Sequence, residues 1–292
     1  MTAAALSVPR STSPTWQRFR DAFRRHPTAI IGGIVLSLMV LVALLAPWLG
    51  TVDPQALSPA QRLKPPSSEH WFGTDMLGRD VYSRVVHGSR ISLTVGVAVA
   101  FLSVAVGLTI GLVTGFVRWL DAIVMRVMDG LMSIPSVLLA IALMALTKAS
   151  VGNVIAAITV AEVPRVVRLV RGLVLSLREQ PFVEAAIAAG TTLPLILTRH
   201  ILPNTVAPLL VQGTYICASA MIVEAILSFI GAGTPPNVPS WGNIMAEGRS
   251  LFQIAGYLIF FPGLFLSLTV LAVNLLGDGM RDALDPRLAR RM

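Results

Sequence analysis

The sequence predicts an all-α integral membrane protein with six transmembrane helices. Hydrophobic residues make up 54% of the chain and charged residues only 13%, with a mean hydropathy of +0.74. A soluble domain carries about 25% charge. The apolar residues fall in long runs rather than the alternation a β-barrel needs, which leaves helices as the way across a bilayer. The 23 basic residues outnumber the 15 acidic ones for a net charge of +8. In a soluble chain that excess would suggest nucleic acid. Here it flanks the apolar runs, as the positive-inside bias requires, and no nucleic-acid partner is expected.

Residues 1–28 hold Arg10, Arg18, Arg20, Arg24 and Arg25. They read as a polar cytoplasmic segment with an amphipathic patch near Trp16–Phe23. The first apolar run, Ile30–Leu49, is long enough to span. A cleaved signal competes with that reading, but the run exceeds a usual signal core and ends in Ala46-Pro47-Trp48 without a small-x-small site. Residues 50–90 form a polar external loop. Within it Asp80 is placed to cap a short helix over Val81–His87 that Gly88 ends. Asp75, Arg79 and Asp80 read as turn and cap chemistry. His70, Asp75 and His87 match no metal-ligand spacing, so no metal is expected.

The second span, Ile91–Val117, repeats Gly107, Gly111 and Gly115 every four residues, a small-residue stripe that lets helices pack closely in lipid. The third, Val127–Leu146, is expected to kink at Pro135, and Asp129 can pair with Arg126 on one face. Lys148 and Asn153 mark a tight outer turn. The fourth starts near Val151 and meets Glu162, Arg165, Arg168 and Arg171. Glu162 is expected to pair with Arg165, in preference to its alternative of lining a path or gate through the bundle, and Arg168 and Arg171 are expected to snorkel toward headgroups. The fifth, Val206–Ile230, carries one charge, Glu224, roughly 30 Å from Asn204 at 1.5 Å per residue. That places Glu224 near the outer face, on a translocation path or holding an outer gate, or in a helix–helix contact to a buried hydroxyl or backbone group. Cys217 in the same run can form no internal disulfide. An outer loop, 231–253, leads to a sixth span, Ile254–Leu276. Of the 23 basic residues, 16 fall on the side of the N-terminus, so both termini are expected in the cytoplasm. The organisation read from this is a cytoplasmic segment 1–28, a six-helix membrane domain 29–278 and a cytoplasmic tail 279–292.

One long segment between spans, within residues 179–203, is neither apolar enough to cross nor irregular enough to be a plain loop. A helix can start at Pro181, whose missing N–H costs nothing in a first turn, and Gly190 can stop it as a left-handed residue. Thr191 or Thr192 can cap a second piece, which Leu202-Pro203 closes. This cytoplasmic helix–turn–helix is either a docking surface for a soluble partner or an amphipathic pair at the lipid interface. The chain has no Gly-Lys pair and hence no phosphate-binding loop of the GxxxxGK[ST] type, and no GxSxG, HExxH or CxxC. It is not expected to hydrolyse ATP, act as an enzyme or bind a cofactor.

Glu184-Ala185-Ala186, then Gly190, then His200 with Leu202-Pro203-Asn204, resembles the cytoplasmic EAA loop of bacterial ABC-importer permeases. The peptide/nickel branch is the nearest. Phe72-Gly73-Thr74-Asp75 with Gly78-Arg79-Asp80 and Ser83-Arg84, and Glu224 with Leu227-Ser228-Phe229, Gly231, Gly233 and Ser240-Trp241-Gly242, agree with its C-type dipeptide/oligopeptide members. The resemblance implies a type I importer permease fold in the bacterial plasma membrane and transport of short peptides. Nickel, glutathione or another small solute is the alternative, with a stand-alone secondary transporter behind it. It also implies a homologous second permease, two cytoplasmic ATPase domains that hold ATP and Mg, and an external binding protein. Two positions depart from the pattern: Ile187 replaces a basic residue and Pro194 a charged one.

Overall fold

The computed structural model describes residues 27–284. The Trp16–Phe23 patch and residues 285–292 of the tail lie outside them. Among the described residues the chain is helical, with no strand beyond an isolated bridge between Thr74 and Asp80. The long helices are α1 (Pro27–Leu45), α2 (Val81–Phe116), α3 (Arg118–Met132), α4 (Ser136–Ala145) and α5 (Val151–Leu177). Two short helices follow, α6 (Pro181–Ala188) and α7 (Leu193–Ile196), then α8 (Leu202–Ile230), α9 (Trp241–Gly248) and α10 (Tyr257–Leu284).

Helix α2 packs along α5, and α8 fills the space beside both. The glycine stripe makes the first contact possible. A Cβ on Gly107 or Gly111 would fall 2.5 or 2.6 Å from the Cβ of Val166 or Val170, and one on Gly115 would meet Val174 just as closely. The matching steps of four on both helices show that α2 and α5 run parallel, so α3 and α4 together carry the chain back between them. Helix α1 lies antiparallel against α10, where a Cβ on Gly32 would meet the Ala272 carbonyl at 2.7 Å.

Several expectations change. The helix begun by Asp80 does not end at Gly88 but runs unbroken to Phe116, because Gly88 lies against Trp241 and has no cause to terminate it. Pro135 does more than kink a span: α3 and α4 meet at 89°. Leu202-Pro203 opens α8 rather than closing the preceding piece, and a π-helical segment, Leu197–Ile201, joins α7 to it. The outer loop contains α9, and α10 reaches beyond Leu276. Four helices are long and apolar enough to cross a membrane, and the bent pair can supply a fifth. The shortfall from six is α5. Its 27 residues extend roughly 40 Å, but Glu162, Arg165, Arg168 and Arg171 spoil its apolar run. The turn before it is tight, with the Asn153 side chain donating to the Lys148 carbonyl at 2.8 Å.

Candidate functional site

The EAA-like segment forms a small projecting unit. Pro181 opens α6, and Val183 anchors it in the main core with Ile196 and Ile201. At its end Gly190 has φ +76°. The Gly190 N–H donates to the Ile187 carbonyl at 2.9 Å and the Thr191 N–H to the Ala186 carbonyl at 3.0 Å. That bond pair is a complete Schellman stop, which needs the left-handed residue that glycine supplies. Glu184 is exposed in the first turn of α6, where the helix dipole favours a carboxylate. Ala185 is exposed and Ala186 half-buried. Phe182, Ile187 at 52% exposure, Leu193 and Leu195 present an apolar surface around this turn. The His200 ring lies 6.4 Å from that of Phe182. Leu202 and Pro203 form the root of α8 and take no part in the turn.

The same rod places the other candidates. Partway along α8, Ser219 Oγ donates to Glu162 Oε1 at 3.3 Å, and Glu162 Oε2 lies 3.0 Å from Arg165 Nη1. The expected Glu162–Arg165 pair therefore exists, with the carboxylate buried and the guanidinium half exposed. Two neighbouring expectations are corrected. Asp129 pairs with Arg168 at 2.6 Å rather than with Arg126, and Arg171 makes a two-pronged pair with Asp121. These arginines bridge α5 to α3 instead of snorkelling, because α3 lies within reach of their side chains.

At the far end of α8, Glu224 is fully enclosed. Ser228 Oγ donates to its Oε1 at 2.8 Å. Ser228, Thr234, Ser240 and Asn243 continue the polar network, with Asn243 Nδ2 donating to Thr234 Oγ1 at 2.9 Å. The network ties the 231–240 connection and α9 to α8.

Gly73, Thr74, Asp75, Gly78, Arg79 and Asp80 come together in one knot at that same end. Gly73 and Gly78 both have positive φ. Thr74 bridges Gln61 and Lys64, and Asp80 caps α2 through the Ser83 N–H at 2.8 Å. Turn and cap chemistry is thus present, but it is not all. Asp75, wholly buried, accepts from Arg79 Nε at 2.6 Å and Arg84 Nη1 at 2.5 Å. Glu247 of α9 accepts from Arg84 Nη2 at 2.8 Å and Arg79 Nη2 at 2.8 Å. Sequence reading missed the roles of Arg84 and Glu247, and the indole of Trp241, which donates to the Val85 carbonyl at 3.0 Å. Arg84 stood in the Ser83-Arg84 pair of the stretch that carries the resemblance, but nothing near it pointed to Glu247. Among the described residues no group of three or more His, Cys, Asp or Glu could hold a metal.

The sequence has counterparts among known proteins. Residues 104–290 match the family described as binding-protein-dependent transport system inner membrane component, and residues 14–66 match the N-terminal transmembrane domain of oligopeptide transport permease C. The chain belongs to this family of ABC-transporter permeases. More particularly, it is 52% identical to a probable peptide ABC transporter permease of Sinorhizobium fredii, covering 99% of this chain and 98% of that one. It is 40% identical to a dipeptide transport system permease of Alkalihalophilus pseudofirmus, over 98% of both chains. It is also 41% identical to a glutathione transport system permease of Escherichia coli, over 99% of this chain and 96% of that one.

Proposed function

We propose that this chain is one of two homologous permease subunits of an ATP-driven importer of short peptides. It forms half of the path and takes its driving force from separate ATPase subunits. The observation that carries this reading is the α6–Gly190 turn: a slim, alanine-rich helix, anchored on one side by Val183 and apolar on its free side. Two cytoplasmic ATPase domains hold ATP and Mg, and each accepts one such helix in a groove. Ile187, where the family pattern has a basic residue, makes this contact apolar. An external binding protein docks at the opposite end and delivers the ligand. Both termini lie in the cytoplasm of a bacterium bounded by this membrane. The glutathione-permease relative supports a second reading, in which the solute is glutathione or another small molecule. Uptake of labelled di- and tripeptides by vesicles holding the reconstituted complex tests the first against the second. Uptake of labelled glutathione that excess unlabelled di- and tripeptides leave unchanged, with no uptake of the labelled peptides, would favour the second. Orientation is tested separately: in a Cys217→Ser background, impermeant maleimide on intact cells should label a cysteine at position 60 and not one at 188.

Glu224 is assigned the hydrogen-bonded role, holding α8, the 231–240 connection and α9 as one outer unit. Its enclosure among hydroxyls supports this over direct contact with solute. Glu224→Gln keeps an acceptor for Ser228 and is expected to leave uptake within about twofold. Glu224→Ala strands buried hydroxyls at ~1–3 kcal/mol and should lower both thermal stability and uptake. Strong loss of uptake in Gln at unchanged stability would instead place the charge on the path.

A further inference from the structure

A second site opens on the flank of the bundle. Two adjoining hollows of about 670 Å³ each, one between α1 and α2 and one between α1, α2, α8 and α10, share Val40, Leu93, Val97 and Phe101. Together they form one apolar groove. From Leu93 to Leu108 it follows α2 for roughly 22 Å at 1.5 Å per residue, more than half of the ~30 Å hydrocarbon layer. The few polar groups on its floor make no demand for a polar ligand: the Thr214 hydroxyl already donates to the Val211 carbonyl at 2.8 Å.

One cation stands at the mouth. Arg90 is the last charge before residues 91–116, which carry none, so it lies where the hydrocarbon layer meets the headgroups. Its Nε and Nη2 donate to the Ala43 and Leu44 carbonyls at 2.5 and 2.9 Å. Those are carbonyls of the last turn of α1, which have no partner within their own helix. They hold the guanidinium in place without cancelling its charge. Among the described residues no acidic side chain pairs with Arg90. Its remaining N–H groups are the donors that a phosphate oxygen accepts best.

We infer that this groove binds one anionic glycerophospholipid of the leaflet at the Val81 end of α2, with an acyl chain along Val97, Phe101 and Val104 and the phosphate on Arg90. The length of the groove, its apolar lining and the single uncompensated cation at headgroup depth all match that occupant. The inference does not depend on the solute or on which face of the membrane is outside.

The test is native mass spectrometry of the full-length chain, with whatever subunits co-purify, equilibrated in detergent with equal phosphatidylglycerol and phosphatidylcholine. One phosphatidylglycerol is expected to be retained about fivefold over phosphatidylcholine, the preference one basic residue gives near a headgroup layer. Arg90→Gln should abolish the preference and Arg90→Lys should keep it. Gly213→Leu should lower retention of both lipids alike. Gly213 lines the groove, and a Cβ there meets only Val104, at 3.7 Å. Benzoylphenylalanine at position 101 should crosslink to lipid. Equal retention of the two lipids by the unaltered chain would overturn the inference. So would loss of the preference in the Lys variant as complete as in Gln, or a crosslink from position 101 to a protein subunit.

Discussion

Arg84→Ala is expected to lower the melting temperature of the purified complex by roughly 10 °C, a loss of about 3–5 kcal/mol. Arg84 is 1% exposed and is the cation between two acids, Asp75 and Glu247. Truncating it leaves Arg79 as their one guanidinium. An uncompensated charge out of water is costly, whereas the intact pair roughly balances its own desolvation. The harm should therefore come from the stranded partners and not from lost attraction. Glu247→Gln, added to Arg84→Ala, removes one stranded charge and should recover about half of the loss. Asp75 is less replaceable, because its Oδ1 also accepts from the Leu77 and Arg79 N–H groups that close the turn. Heating the three proteins and following tryptophan fluorescence checks this. A shift below about 2 °C for Arg84→Ala would show that the cluster is open to water.

The elements that local signals define were legible in the sequence. Pro181 and Gly190 bracket a helix because a first turn accepts proline and a Schellman stop needs positive φ, and both rules act within a few residues. Asp80 was legible as a cap for the same reason. The glycine stripe gave the α2–α5 contact surface, though not its partner. What remained hidden depends on distant residues. Arg84 and Glu247 are separated by 163 positions, and nothing near either names the other. Asp129 had an arginine three residues back, but a neighbouring helix offers a better-placed one in Arg168. Gly88 carried a stop signal that the packing of Trp241 overrides. The α3–α4 break at Pro135 was visible as a weak point, while its 89° angle is set by what the two halves pack against. An apolarity test passes over α5 because of its charges, although the helix is long enough to span. Those charges are met by partners far away in sequence: Arg168 by Asp129, Arg171 by Asp121 and Glu162 by Ser219.

The largest functional effect is expected at Gly190. A Cβ there meets nothing within 4 Å, so a substitution acts through the backbone alone. Valine at φ +76° is strained by about 1–3 kcal/mol and should unwind the Schellman stop, turning α6 away from its groove. Asparagine tolerates that conformation and should be close to wild type. Glu184→Ala should do less than Gly190→Val, because a rim charge pair is worth ~0.2–1 kcal/mol. Insertion and pairing with the second permease should be unaffected in all three, since Val183 and the α8 root are untouched.

ATP hydrolysis by the purified complex in lipid, with and without ligand-loaded binding protein, measures the coupling directly. The proposed role of the turn predicts at least tenfold loss of ligand-stimulated hydrolysis and of uptake in Gly190→Val, with both retained in Gly190→Asn. Full stimulated hydrolysis and full uptake in Gly190→Val would contradict it and remove the α6 turn from the transmission of force.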